Sequence, residues 1–186
     1  MPESGVPLSP KESLLSFEER KQVIGIFARL GVNKLRFTGG EPTVSKDLLP
    51  LIEFSSSLPN IKTIGMTTNG IMLNPRMITD LKSAGLTSVN ISLDSLSPDR
   101  FAQISRRDKK GLMKVLSSIY TSVSKDLSVK VNCVIMRGIN DDELTQFIEM
   151  TKDCQLDVRF IELMPFDGNE WTPSKVQAIN ELEIRV

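Results

Sequence analysis

The chain has 186 residues, 40% hydrophobic and 25% charged, with 23 basic and 23 acidic side chains, no histidine and two cysteines. That suits one globular domain with a sizeable core and excludes a Ser-His-Asp triad, a Cys-His dyad and a histidine-containing zinc site, while two cysteines cannot by themselves make a four-thiolate metal or iron–sulfur site. A net charge of zero and a pI near 6.4 give no broad attraction for phosphate backbones or anionic lipid, so neither nucleic acid nor a membrane is expected as a partner.

The segment Met1-Pro2-Glu3-Ser4-Gly5-Val6-Pro7 has neither a secretory nor a transit pattern, and no apolar run approaches the roughly 18 residues that span a bilayer. Ser16-Phe17-Glu18-Glu19 is a capping box that opens a helix carrying Val23, Ile24, Phe27 and Leu30 on one face and stopping at Gly31. Strands are expected near 34–37, 61–67, 88–93, 128–136 and 157–161, at the spacing of a βα repeat. Between them, a helix follows Asn74-Pro75 and ends at Gly85, with Met77, Ile78, Leu81 and Ala84 at core spacing. Ser97-Pro98 starts a short helix around Phe101, a further helix runs from Lys110 to Val123, and Asn140 to Glu143 reads as a second box-like start before Leu144, Phe147 and Ile148. Cys133 and Cys154 form no close-spaced pair, so an intracellular, reducing compartment is the default.

This order predicts an α/β fold with a parallel sheet, either doubly wound or part of a barrel. The faces of the strands decide between them. Val129, Val131, Cys133 and Ile135 alternate with Lys130 and Asn132, and Val89, Ile91 and Leu93 alternate with Ser88, Asn90, Ser92 and Asp94. Lys34, Arg36 and Thr38 alternate with Leu35 and Phe37, and Thr63, Gly65 and Thr67 with Ile64 and Met66. Doubly wound strands should be apolar on both faces, and a closed barrel fills its interior with branched apolar side chains. One apolar and one polar face fit an open, partial (β/α) barrel whose polar side is the site.

After the first strand comes Thr38-Gly39-Gly40-Glu41-Pro42. Two glycines at a strand's C-terminal end let backbone N–H and C=O groups approach a ligand, beside a carboxylate that can accept from an ammonium or hydroxyl. An ordinary βα turn is the alternative, and neither the dinucleotide nor the P-loop spacing occurs.

This element resembles the "GGEP" motif of radical S-adenosylmethionine (SAM) enzymes. With Thr67-Thr68-Asn69-Gly70, Asn90-Ile91-Ser92-Leu93-Asp94, the segment from Lys130 to Asn140, and Arg159-Phe160-Ile161-Glu162-Leu163-Met164-Pro165-Phe166, the ordered set resembles the GTP 3′,8-cyclase family of molybdenum cofactor biosynthesis, from Met1 to about Trp171. The resemblance implies a partial (β/α)6 barrel of radical SAM type, and a lyase using SAM and two [4Fe–4S] clusters. In the mechanism the resemblance implies, the 5′-deoxyadenosyl radical would take the 3′-hydrogen of GTP, and the resulting carbon radical would attack C8 of guanine to give 3′,8-cyclo-7,8-dihydro-GTP. Carried over by position, Gly39, Gly40, Glu41, Ser92 and Met164 would bind SAM, and Lys34, Arg36, Thr67, Lys130 and Arg159 would bind GTP. The plainer readings are that Lys130 lies on an exposed edge, that Met164 is core, and that Ser92 bonds a neighbour. Cys133, on an apolar face, is expected to be a buried structural thiol.

The family holds its SAM cluster with Cys-x3-Cys-x2-Cys after the first barrel strand, and a second cluster near its C-terminus. Against that pattern the chain reads as strands two to six over residues 1–171 with a truncated tail at 172–186, the first strand and all cluster ligands missing, and no metal-ligating residues of its own. Ser45 stands where relatives commonly have arginine. Two functions follow: a piece of the cyclase, inactive alone, with GTP and SAM as partners; or a non-catalytic product that binds nucleotide, dimerises or pairs with the full-length enzyme. The resemblance implies a cytoplasmic location for a bacterial source and the mitochondrial matrix for an animal one.

Overall fold

The computed structural model describes residues 9–165 and 172–178. The first helix, α1 (Phe17–Arg29), starts at the predicted box: the Glu19 N–H donates to Ser16 Oγ at 3.3 Å and the Ser16 N–H to Glu19 Oε2 at 2.7 Å, so two amides at the open end of the helix are satisfied. Its large apolar residues are not buried. Phe27 is 52% and Leu30 75% exposed, while the small residues Gly25 and Ala28 face the protein and let the helix sit close.

Five strands follow, β1 (Lys34–Phe37), β2 (Thr63–Thr68), β3 (Ser88–Ser92), β4 (Ser128–Ile135) and β5 (Leu156–Glu162), paired in parallel in the order β1-β2-β3-β4-β5. Each strand adds on the same side as the one before. That is the order of a barrel wall; a doubly wound sheet reverses direction at a switch point. The predicted strands are all present, with ends within two residues of expectation.

The connecting helices are α2 (Leu48–Ser56), α3 (Pro75–Ala84), α4 (Pro98–Ser105), α5 (Gly111–Ser124) and α6 (Leu144–Glu149). The sequence analysis placed no helix between β1 and β2, where α2 forms. Pro50 falls in the first turn, where an amide has no helical acceptor to lose, and Ser55 Oγ donates to the Leu51 carbonyl at 2.6 Å. Asn74 caps α3 by accepting the Met77 N–H at 2.9 Å, with Pro75 in the first helical position. Ile78, Val115, Ile119 and Phe147 from the helices and Val89, Ile91, Val131, Cys133 and Ile135 from β3 and β4 are completely buried, at about 1.5–3 kcal/mol for each large aliphatic side chain.

The box-like start expected at Asn140 to Glu143 does not form. Asn140 instead donates from Nδ2 to the carbonyls of Asp94 at 2.6 Å and Val134 at 2.9 Å, and accepts the Met136 N–H at 2.7 Å. Glu143, 3% exposed, accepts from Ser95 Oγ, the Leu96 N–H and Arg100 Nη1 at 2.8, 2.6 and 2.8 Å. Partners at Asp94 and the end of β4 have taken the Asn140 side chain, and partners at Ser95, Leu96 and Arg100 the Glu143 side chain, from the local cap, and α6 begins one turn later.

Residues 172–178 return to the end of β4: Val176 bridges Met136 antiparallel, and the Arg137 N–H donates to the Lys175 carbonyl at 3.0 Å. The N-terminal residues 1–8, the expected boundary at 171 and the tail beyond 178 lie outside the described residues.

Candidate functional site

Parallel register and alternation place the polar side chains in rows across the face opposite the helices. Lys34 aligns with Thr63; Arg36 with Gly65, Ser88 and Ser128; Thr67 with Asn90, Lys130 and Asp157; Ser92 with Asn132 and Arg159. The expected nucleotide contacts therefore share one face but not one point. Lys34 is at the N-terminal end of β1, two rows from Thr67, whereas Thr67, Lys130 and Arg159 lie in adjoining rows.

Arg36 crosses between strands. Its Nη1 donates to Thr67 Oγ1 at 3.5 Å, bringing a β1 guanidinium and a β2 hydroxyl together. Lys130 is ion-paired with Asp157 of β5, and that hydrogen bond first, then the ammonium charge, holds the Asp157 carboxyl below its usual range. β4 is flanked on both sides, so Lys130 is not on a sheet edge. Ser92 is exposed, its hydroxyl without a hydrogen-bond partner among the described residues, and Met164, beyond the end of β5, is 52% exposed and so not core.

Gly39 has φ +118°, a conformation that strains other residues, and a Cβ at either Gly39 or Gly40 would meet nothing within 4 Å among the described residues. Glu41, expected as a SAM contact, is heavily engaged inside the protein: Oε1 accepts from the Thr43 N–H at 3.1 Å, Thr43 Oγ1 at 2.7 Å and Thr68 Oγ1 at 2.6 Å, and Oε2 accepts the Asn69 N–H at 2.7 Å. Thr68 Oγ1 in turn accepts the Gly70 N–H at 3.0 Å. The carboxylate fixes the glycine turn against the end of β2.

Asn90, Asn132, Asp157 and Gly65 join this face although none was singled out as a site residue. The period-two alternation, which already put Gly65, Asn90 and Asn132 on the same polar face as Ser92 and Lys130, was the signal that could have found them. Asn90 Oδ1 and Asn132 Oδ1 are buried without a hydrogen-bond partner among the described residues, an uncommon state for carboxamide oxygens.

Cys133 is completely buried on the helix-covered face, and burial first, then the nearby Asp94 and Glu143 carboxylates, pushes its thiol pKa far up. Among the described residues no three His, Cys, Asp or Glu side chains converge to hold a metal. Those residues do not fit a [4Fe–4S] cluster, which takes accessible thiolates.

Residues 3–151 match the Radical SAM superfamily, and the chain belongs to that family. It is 49% identical over 187 aligned residues to the mitochondrial GTP 3′,8-cyclase of Arabidopsis thaliana, covering 100% of this chain and 47% of that protein. Identity is 48% over 183 residues to molybdenum cofactor biosynthesis protein 1 of Bos taurus, covering 98% of this chain and 28% of the relative. The chain thus spans less than half the length of these two curated relatives. The solved radical S-adenosylmethionine methyltransferase TsrM from Kitasatospora setae, which has cobalamin and a [4Fe–4S] cluster bound, superposes with a TM-score of 0.62 at 15% identity, over 86% of this chain and 30% of that one. That likeness establishes the fold alone.

Proposed function

We propose that this chain supplies the substrate-facing wall of a GTP 3′,8-cyclase, the enzyme that converts GTP to 3′,8-cyclo-7,8-dihydro-GTP in molybdenum cofactor biosynthesis. One observation carries the reading: Arg36, Thr67, Lys130 and Arg159, drawn from four different strands, are placed by register on the single polar face of the sheet. A triphosphate needs converging cations, and guanidinium groups match its oxygens with two parallel hydrogen bonds. Lys34 would extend the same charge toward the N-terminal end of β1. SAM would lie over the turn at Gly39 and Gly40, with Ser92 and Met164 beside it, and Glu41 would serve it chiefly by fixing the turn.

SAM and its cluster would supply the radical that begins the reaction; this chain's side chains would bind and orient the nucleotide. Because the described residues do not fit a cluster, the isolated chain is expected to bind GTP without cleaving SAM. Calorimetric titration of GTP into the purified chain, with Lys130→Ala beside wild type, tests the binding half: affinity should fall about tenfold in the variant. The other half is tested by assaying for 5′-deoxyadenosine after anaerobic iron–sulfur reconstitution. Its formation would contradict the reading.

A further inference from the structure

We infer that Gly65 is a positioning residue: the absence of a side chain at this point of β2 creates the notch in which the Arg36 guanidinium lies. The inference rests on the nucleotide reading and adds to it a residue with no polar side chain of its own.

A glycine inside a strand weakens it and commonly marks a close approach by another group. Gly65 pairs with Arg36 on one side and Ser88 on the other, and its φ is not in the left-handed region, so backbone conformation does not require glycine there. The space does. A Cβ at this position would stand 3.3 Å from Arg36 Cζ, 3.3 Å from Nη2 and 2.8 Å from Ser88 Oγ. The 2.8 Å contact with Ser88 Oγ is one that side chains do not sustain, and the two at 3.3 Å are tight enough that the guanidinium must give by a few tenths of an ångström.

Arg36 therefore crosses β2 by lying over Gly65, and the same pose brings Nη1 to 3.5 Å from Thr67 Oγ1. With a methyl group in the notch the guanidinium must give by a few tenths of an ångström, enough to break a hydrogen bond to Thr67 that already spans 3.5 Å. The charge remains while its position is lost, so the effect should fall on the phosphates of a bound nucleotide and not on its nucleoside.

The experiment uses the whole chain in a Ser88→Ala background, which removes the hydroxyl from the 2.8 Å contact and leaves the guanidinium as the group in conflict. GTP and guanosine are titrated calorimetrically into Ser88→Ala and Ser88→Ala/Gly65→Ala, each with and without Arg36→Ala. Adding Gly65→Ala should weaken GTP binding about threefold, leave guanosine binding unchanged, and have no further effect once Arg36 is alanine. If Gly65→Ala lowers the melting temperature, Arg36→Ala should restore it. Equal GTP affinity with and without Gly65→Ala, in a chain that binds GTP, would overturn the role of Gly65 alone. Failure of the wild-type chain to bind GTP would overturn the nucleotide reading and this inference with it.

Discussion

Thr68 Oγ1 donates to Glu41 Oε1 at 2.6 Å, tying the glycine turn after β1 to the end of β2. Four donors converge on the Glu41 carboxylate, which no amide can match, since one of its two ends would present N–H to N–H. Glu41→Gln should lower stability by about 1–3 kcal/mol in urea denaturation. An unchanged midpoint and slope would show that the turn holds without this charge.

Arg100 offers a second contrast, because it meets one buried and one exposed carboxylate. It pairs with Glu143, whose side chain is 4% exposed, and with Asp142, which is 61% exposed. Asp142→Ala should cost within about 1 kcal/mol, as exposed pairs do. Glu143→Ala should cost clearly more, on the order of 2–4 kcal/mol, because Ser95, the Leu96 amide and Arg100 all lose their acceptor. Similar unfolding free energies for the two variants would refute the distinction.

Asp94 governs a pH effect. Burial raises its carboxyl pKa, opposed by the hydrogen bond from the Val134 N–H at 2.8 Å. The folded state then holds the Asp94 proton more readily than the unfolded chain. Its contribution to stability is fully present below the ordinary carboxylate pKa and is lost as pH rises through the raised folded value. Asp94→Asn keeps an acceptor for Val134 and removes the charge, so it should match or exceed wild-type stability at pH 7, with the difference closing near pH 3. A variant clearly less stable than wild type at pH 7 would contradict this.

Much of this was legible in the sequence because strands of period two and capped helices of period 3.6 are local signals. Ser16, Asn74 and Gly85 act where their residue types predict. The failures have a common physical cause. The Asn140 and Glu143 side chains obey partners more than 40 residues away, at Asp94, Ser95 and Leu96, and local spacing cannot register them. Likewise Asp157 is readable as a polar strand residue, but only the register of β4 against β5 reveals that it neutralises Lys130. The apolar side of α1 looked like ordinary amphipathic patterning, and its exposure is a property of the fold.

That neutralisation has a consequence for binding. Asp157→Asn would free the Lys130 ammonium for phosphate, and GTP affinity should rise by up to about fivefold, the scale of a largely exposed ion pair. A fall in affinity on titration would mean that Asp157 orients Lys130 more than it competes for it.

Exposure of Phe27 on α1 and of Leu30 at its C-terminal cap makes their replacement cheap. Phe27→Lys and Leu30→Lys should each change unfolding free energy by no more than about 0.5 kcal/mol while raising the soluble yield of the chain. Destabilisation well beyond that in either variant would show that the helix face is packed.

The claim that the polar face reads a triphosphate is tested most directly by calorimetric titration of GTP, GDP and GMP into the purified chain, wild type and Arg36→Ala/Arg159→Ala. Converging cations predict affinities in the order GTP, GDP, GMP, with the differences largely lost in the double variant. Equal affinity of wild type for the three nucleotides, or binding of none of them, would contradict it.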